Sequence, residues 1–174
     1  MKIQNEVASN IVGYWSETKS IGMKMPCRLS HYSRKEFLKV EDGLSYLQRL
    51  SNSYKNLHPD WYKKQMYQAQ LNPEMVIGDT PFSTITINRN FRTAVHKDVG
   101  DYGFGNLSAL EYGHYHGGYF VFPKYRIAID MRAGSHLCAD VHEYHANTAL
   151  YETEEDKLLN DKLPDIFKDN LEVG

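Results

Sequence analysis

Phe82-Ser-Thr-Ile-Thr-Ile-Asn-Arg-Asn-Phe-Arg-Thr-Ala-Val-His96-Lys-Asp98 is the stretch on which the rest of the chain turns. From Thr84 it alternates, with Ile85, Ile87, Phe91 and Val95 on one side and Thr84, Thr86, Asn88, Asn90, Arg92, His96 and Asp98 on the other. A period of two is that of a β-strand with one apolar and one wet face. If the apolar face packs on a helix, the polar face looks into a solvated cavity. Side chains two apart on that face, such as His96 and Asp98, can then reach one ion. Taken alone, a His-x-Asp at a strand end is equally an accident of composition, and it needs a third donor to mean more.

That donor comes 47 positions after Asp98, in Val141-His-Glu-Tyr-His145-Ala-Asn-Thr148. The segment from Gly134 reads as a turn followed by a short apolar strand through Leu137, Cys138, Ala139 and Val141, with His142 and His145 near its far end. Alternation does not choose between the two histidines, because regular pairing ends somewhere near Glu143. His145 is preferred for its small and polar continuation and its place eleven residues after Gly134, both familiar around the distal histidine of iron oxygenases. His142 is then a substrate-side or supporting residue, or a surface histidine. Two imidazoles and one carboxylate, His96, Asp98 and His145, are the set that holds non-haem Fe(II) on one face and leaves positions open for a co-substrate and O₂. The spacing therefore points to an oxygenase.

Outward from this centre, residues 82–96, 106–112, 118–122, 125–131 and 135–142 read as short β-rich runs between Gly and Pro turns, the pattern of a barrel or jelly roll. Upstream, Ser33-Arg-Lys-Glu36 has the form of a capping box, and Leu44, Leu47, Leu50 and Tyr54 follow at helical spacing. A helix is expected within 33–56, with Gly43 as a possible break. Pro59 and Asp60 open a second helix, Trp61 to Leu71, that ends before Pro73. These helices are expected to buttress the apolar outer face, with Tyr46, Tyr54, Trp61, Tyr62 and Tyr67 as packing aromatics and not a base-stacking platform. The fold class expected is α+β overall: an all-β core with N-terminal flanking helices. One domain, 1–174, would comprise helical support at 33–71, a core at about 82–150 and an acidic tail at 151–174.

At 174 residues, with 41% hydrophobic and 24% charged side chains, the chain can bury a core without staples. Cys27 and Cys138 have no pair spacing and read as buried small hydrophobes. No signal-peptide pattern or long apolar run is visible, so a reducing cytoplasm and no membrane partner are expected, or a nucleus if the source is eukaryotic. The net charge of −2 does not announce a nucleic-acid protein. It hides an asymmetry: residues 1–100 hold 14 basic and 9 acidic side chains, and residues 101–174 hold 6 and 13. Lys19, Lys24, Arg28, Arg34, Lys35, Lys63 and Lys64 could line a DNA path or be solvated helix surface.

Four segments carry a more specific resemblance: residues 82–98 as quoted, Gly100-Asp-Tyr-Gly-Phe-Gly-Asn-Leu-Ser108, Gly117-Gly-Tyr-Phe-Val-Phe-Pro123, and Asp140-Val-His-Glu-Tyr-His-Ala-Asn-Thr148. Together they resemble the iron and 2-oxoglutarate dependent dioxygenases of the TET and base-J-binding-protein type, including their phage relatives. The resemblance implies a cupin-like double-stranded β-helix (jelly roll), Fe(II) and 2-oxoglutarate as cofactors, and O₂-dependent hydroxylation of the 5-methyl group of a pyrimidine in DNA, thymine or 5-methylcytosine. It also implies a target base swung out of the duplex. By the same likeness His96, Asp98 and His145 hold the metal, while Asp101, Tyr102, Asn106 and His142 fall on the substrate side. Asp101 could accept a hydrogen bond from a pyrimidine, or be an ordinary acidic turn residue.

One departure stands out. Family members pair the distal carboxylate of 2-oxoglutarate with an Arg that follows the distal histidine, and no Arg follows Arg132 here. Residues 151–164 form instead an acidic, helix-like run in which Lys157 reads as a solvated charge. Either the closing strand is missing from this chain, or another cation serves. Arg92, on the face of His96, is the internal substitute, with Asn90 and Asn147 as further co-substrate contacts. Two rival readings remain open: the same iron chemistry on a nucleoside, an amino acid or a protein side chain, and a non-catalytic β-barrel binding module with a degenerate site.

Overall fold

The computed structural model describes residues 8–20, 23–110 and 113–163. They fall into two compact units, one of residues 1–91 and 102–104, the other of residues 92–101 and 105–174.

In the first unit, β1 (Ala8–Trp15) is flanked by β4 (Arg28–Leu29) and β5 (Thr84–Arg89), both antiparallel to it. Between β1 and β4 lies a small hairpin of β2 (Thr18–Ser20) and β3 (Met23–Met25). Neither β1 nor this hairpin is anticipated by the sequence reading, since residues 8–15 show no clean alternation. The helices are α1 (His31–Lys35), α2 (Phe37–Leu57) and α3 (Pro59–Ala69). The expected capping box at Ser33–Glu36 is corrected. Ser30 is the cap, its hydroxyl accepting from Ser33 N–H, and the buried Ser33 side chain accepts from the backbone N–H of Gly13. Gly43 does not break α2, which runs through it for 21 residues. Pro59 starts α3 as expected, because a missing N–H costs nothing in the first turn. Tyr54 and Tyr62 pack edge to face at 5.7 Å and are buried, whereas Tyr67 stands exposed, against expectation. Trp61 and His58 pack on Phe104, and Gln65 donates to the carbonyls of Tyr102 and Phe104.

The long alternating strand is only partly present. β5 stops at Arg89, and Asn90 adopts a left-handed φ of 53°, which a regular strand cannot accommodate. The apolar side of the run is not a packed face: Ile87, Phe91 and Val95 are exposed. Cys27 is also exposed, not buried.

The second unit contains all but the first residue of β6 (Phe104–Ser108), which pairs with β10 (His136–Asp140). A three-stranded sheet follows, with β8 (Phe120–Phe122) between β9 (Ile127–Ile129) and β11 (Ala146–Asn147), and then a two-stranded pair of β7 (His116–Gly117) with β12 (Leu150–Tyr151). Phe120, Phe122 and Ala139 form its buried core, with Leu107, Ile129, Met131 and Leu137 packed against them. Four of the five runs read from sequence contain β5, β8, β9 and β10, and the second only overlaps β6, which begins earlier, at Phe104; each strand is shorter than its run. Residues 111 and 112 of the second run lie outside the described residues. The acidic segment does form a helix, α4 (Glu154–Asn160), capped by Thr153 and Asp156. Lys157 pairs with Glu154 at its surface. Residues 164–174 of the tail lie outside the described residues. The architecture is thus mixed helices and small antiparallel sheets, and among the described residues no sheet closes into a barrel.

Candidate metal centre

His96 and His145 sit directly opposite each other in an isolated antiparallel bridge. Each backbone N–H donates to the other's carbonyl at 3.0 Å. Residues so paired send their side chains to the same face, which brings the imidazole centroids to 4.4 Å. Asp98, two positions on from His96, recovers that face by strand parity. Its own N–H donates to Val141 O at 2.9 Å and holds this segment beside the end of β10. A cross-strand pair and one i+2 neighbour therefore assemble the three side chains, without the long strand that the sequence suggested.

The donor atoms are aimed. His96 Nδ1 lies 2.8 Å from Ala94 O, and His145 Nδ1 lies 2.9 Å from Glu143 O. In each case the partner is a carbonyl two residues back, so Nδ1 carries the proton and Nε2 presents its lone pair. The Asp98 carboxylate divides between them, Oδ1 at 3.4 Å from His96 Nε2 and Oδ2 at 3.5 Å from His145 Nε2. All three donors lie within 4.8 Å of one another. Ligands about 2.1 Å from a common ion and at right angles stand about 3.0 Å apart, so a small closure would suit a divalent cation. The donor set, N, N and O, suits Fe(II) and leaves half an octahedron open.

The surroundings are asymmetric. His145 is 3% exposed and stacks on Phe120 at 5.3 Å and 29°, with Phe122 behind at 6.3 Å. His96 and Asp98 are partly open to solvent. Glu143, whose carbonyl orients His145, is itself tied down by Lys124 at 2.7 Å. That hydrogen bond holds the Glu143 carboxyl below, and the Lys124 ammonium above, their ordinary pKa values.

Asp101 keeps part of its surface in solvent, yet the protein around its carboxyl raises its pKa, and Asp98 adds repulsion. His142 and His145 act in the opposite sense. His142 is a clamp more than a free side chain. Its Nδ1 meets Asp140 Oδ1 at 3.0 Å and its Nε2 meets the Asp101 carbonyl at 3.1 Å. Both partners are hydrogen-bond acceptors. Asn106 is bound to His136 and Cys138, each at 3.1 Å. Burial pushes the Cys138 thiol up to about 11 and lowers the pKa of His136. Behind them Gly105 leaves room for Val141, whose side chain a Cβ there would strike.

The other anticipated residues are distributed as follows. Arg92 is exposed at the start of the second unit. Thr93 beside it is joined to Asn147, the hydroxyl donating to Asn147 Oδ1 at 2.8 Å. Asn90 and Tyr102 belong to the first unit, and Tyr102 is exposed there. Sequence reasoning passed over Phe120, whose apolar run disclosed no link to His145. It also passed over Arg89, whose Nε is buried without a hydrogen-bond partner among the described residues.

Residues 10–164 match the Tet_JBP family model, the oxygenase domain of the 2OGFeDO superfamily. The chain is 34% identical over 149 residues to the bifunctional helicase and thymine dioxygenase JBP2 of Trypanosoma brucei brucei (strain 927/4 GUTat10.1), covering 84% of this chain and 14% of that protein. It is 32% identical over 148 residues to JBP2 of Leishmania braziliensis, covering 84% and 13%. To the thymine dioxygenase JBP1 of Trypanosoma brucei brucei it is 31% identical over 144 residues, covering 82% and 17%. The chain thus spans only about a seventh of the length of the first two relatives and a sixth of the third. No solved structure gives a significant match.

Proposed function

Because the chain belongs to the Tet_JBP family, the oxygenase domain of the 2OGFeDO superfamily, we propose that it hydroxylates the 5-methyl group of thymine in DNA. His96, Asp98 and His145 are the residues that would hold Fe(II). The observation that carries this reading is the matched pair of Nδ1 contacts, which turns both Nε2 atoms toward the Asp98 carboxylate. When bound, iron with 2-oxoglutarate supplies the O₂-dependent oxidation, the co-substrate leaving as succinate and CO₂ while one oxygen atom goes to the methyl carbon.

The chain's own side chains position and exclude. Phe120 and Phe122 keep water from the back of His145 and fix its ring. Asp101 accepts from the N3–H of thymine, a donor that 5-methylcytosine lacks. The His142 bridge to Asp140 holds the Asp101 backbone while the base is read. Arg92 pairs with the distal carboxylate of 2-oxoglutarate, with Asn147 as a further contact. Asn106 serves the base. The thymine is swung out of the stack before reaction, since a methyl group within an intact duplex cannot meet a bound oxidant. The surrounding scaffold is a double-stranded β-helix.

Two measurements test this. Anaerobic titration with Fe(II) and 2-oxoglutarate should raise a metal-to-ligand charge-transfer band, and Asp98→Ala should abolish it. Mass spectrometry of nucleosides from thymine-containing DNA incubated with the protein should then show 5-hydroxymethyluracil deoxynucleoside. A band without that product would exclude thymine in DNA as substrate, and no band at all would leave a binding module.

A further inference from the structure

The hairpin of α2 and α3 carries a groove of about 480 Å³, well away in sequence from the iron ligands. Lys55 and Lys63 line it, with Tyr62, Met66 and Tyr67 as its apolar part, and no carboxylate is among its lining residues. On α3 the side chains at 63, 66, 67 and 70 recur at helical spacing and so share a face.

Four lysines elsewhere are neutralised, while Lys35 and Lys97, like those here, form no ion pair among the described residues. Lys24, Lys39, Lys124 and Lys157 each pair with a glutamate, at 2.9, 3.1, 2.7 and 2.6 Å. Among the described residues, no carboxylate forms an ion pair with Lys55, Lys63 or Lys64. Two of them instead meet aromatic faces, Lys55 over Tyr62 at 5.9 Å and Lys64 over Trp61 at 4.5 Å. Tyr67 leaves 68% of its surface in solvent at the same groove. Uncompensated ammonium groups interleaved with an exposed ring are what a nucleic-acid strand needs: cations for its phosphates and a flat face for a sugar or base.

We propose that this groove seats the phosphodiester backbone of DNA, with Lys55 and Lys63 on phosphates and Tyr67 against a sugar or base. The inference rests on DNA being the substrate, and adds where the polymer is gripped apart from the reacting base. An acidic peptide would satisfy the lysines but offers no counterpart for Tyr67.

The test is fluorescence anisotropy of a labelled thymine-containing duplex with the full chain, across a salt series. Lys55→Ala with Lys63→Ala should weaken binding about tenfold or more at low salt. It should also lower the slope of log affinity against log salt by about two, since each phosphate contact contributes about 0.9. Lys55→Arg with Lys63→Arg should retain both. Tyr67→Ala should weaken binding about fivefold or more with the slope unchanged. An unchanged affinity and slope in the double alanine variant would overturn the proposal, as would an acidic peptide that competes as well as DNA. Wild-type protein that oxidises thymine in DNA while the double alanine variant binds normally would refute the groove alone. Wild-type protein that neither binds nor oxidises DNA would refute the substrate reading and the groove with it.

Discussion

Phe120→Leu separates the two things that the aromatic stack does. Phe120 is 2% exposed and touches His145 at 5.3 Å, nearly parallel, and Phe122 at 5.2 Å, edge to face. Leucine keeps an apolar side chain in the site but forfeits both ring pairs, each worth about 0.5–1.5 kcal/mol beyond area burial. A loss of about 1–3 kcal/mol follows, which lowers Tm by roughly 2–12 °C for a chain of this size. The same change frees the His145 ring on one face while leaving its Nδ1 contact in place. Loss of a supporting partner typically weakens a metal site by about tenfold or more, so the Fe(II) dissociation constant from the charge-transfer titration should rise by about that factor. Leu137→Ala is the control. It sits in the same core cluster, does not stack on His145, and should cost about 2 kcal/mol with iron affinity unchanged. If Phe120→Leu destabilises the protein as worked out while iron binds as before, the stack serves packing only. If both variants weaken iron equally, the loss reflects general loosening and not ring orientation.

Three further outcomes are expected. The Cys138 thiol, pushed up to about 11 by burial, stays protonated in the folded protein over a range where an unfolded thiol ionises. Stability is therefore lost as pH climbs past about 8.5 toward 11; Cys138→Ser should flatten that limb in pH-dependent thermal melts, and at pH 8 iodoacetamide should label the exposed Cys27 well before Cys138. His142→Ala removes the bridge between Asp140 and the Asp101 carbonyl, so KM for DNA should rise by about tenfold while the iron charge-transfer band is retained, and loss of the band would place His142 in the metal site instead. Gly117 has a φ of 78°, and a Cβ there would strike the Ala149 carbonyl across the β7–β12 pair; Gly117→Ala should cost roughly 2 kcal/mol or more and lower Tm by about 4–8 °C, and an unchanged melt would refute this register.

The donors were legible in the sequence because parity survives local irregularity. His96 and Asp98 share a face whether the strand runs unbroken or is interrupted at Asn90, since only the two residues between and beside them matter. The extent of that strand was not legible. Alternation reports which residues can face a core, and nothing in Ile87, Phe91 or Val95 says that no core meets them. Pro59 announced α3 through its own covalent geometry. Ser33 misled for the converse reason: its hydroxyl suits a cap equally well as it suits Gly13 N–H, and only the tertiary placement of β1 decides. Phe120, Lys55 and Lys63 look like ordinary core and surface residues until their neighbours are known.

The bridge between His96 and His145 explains why so little regular sheet suffices. Two main-chain hydrogen bonds of 3.0 Å set the separation of the ligand backbones, and two ring contacts to carbonyls at positions 94 and 143 set the ring planes. Every one of these acceptors is a backbone atom, so substitutions in the flanking side chains can be tolerated as long as the local chain path is kept. Asp98 is different: its carboxylate faces both Nε2 atoms and no backbone donor is seen on it among the described residues. An ion shared by the three would fix its orientation. The carboxylate is thus the adjustable member of the set, and Asp98→Glu should weaken iron binding far less than Asp98→Asn, which keeps the size and removes the charge. Equal loss in the two variants would mean that position and not charge controls the site.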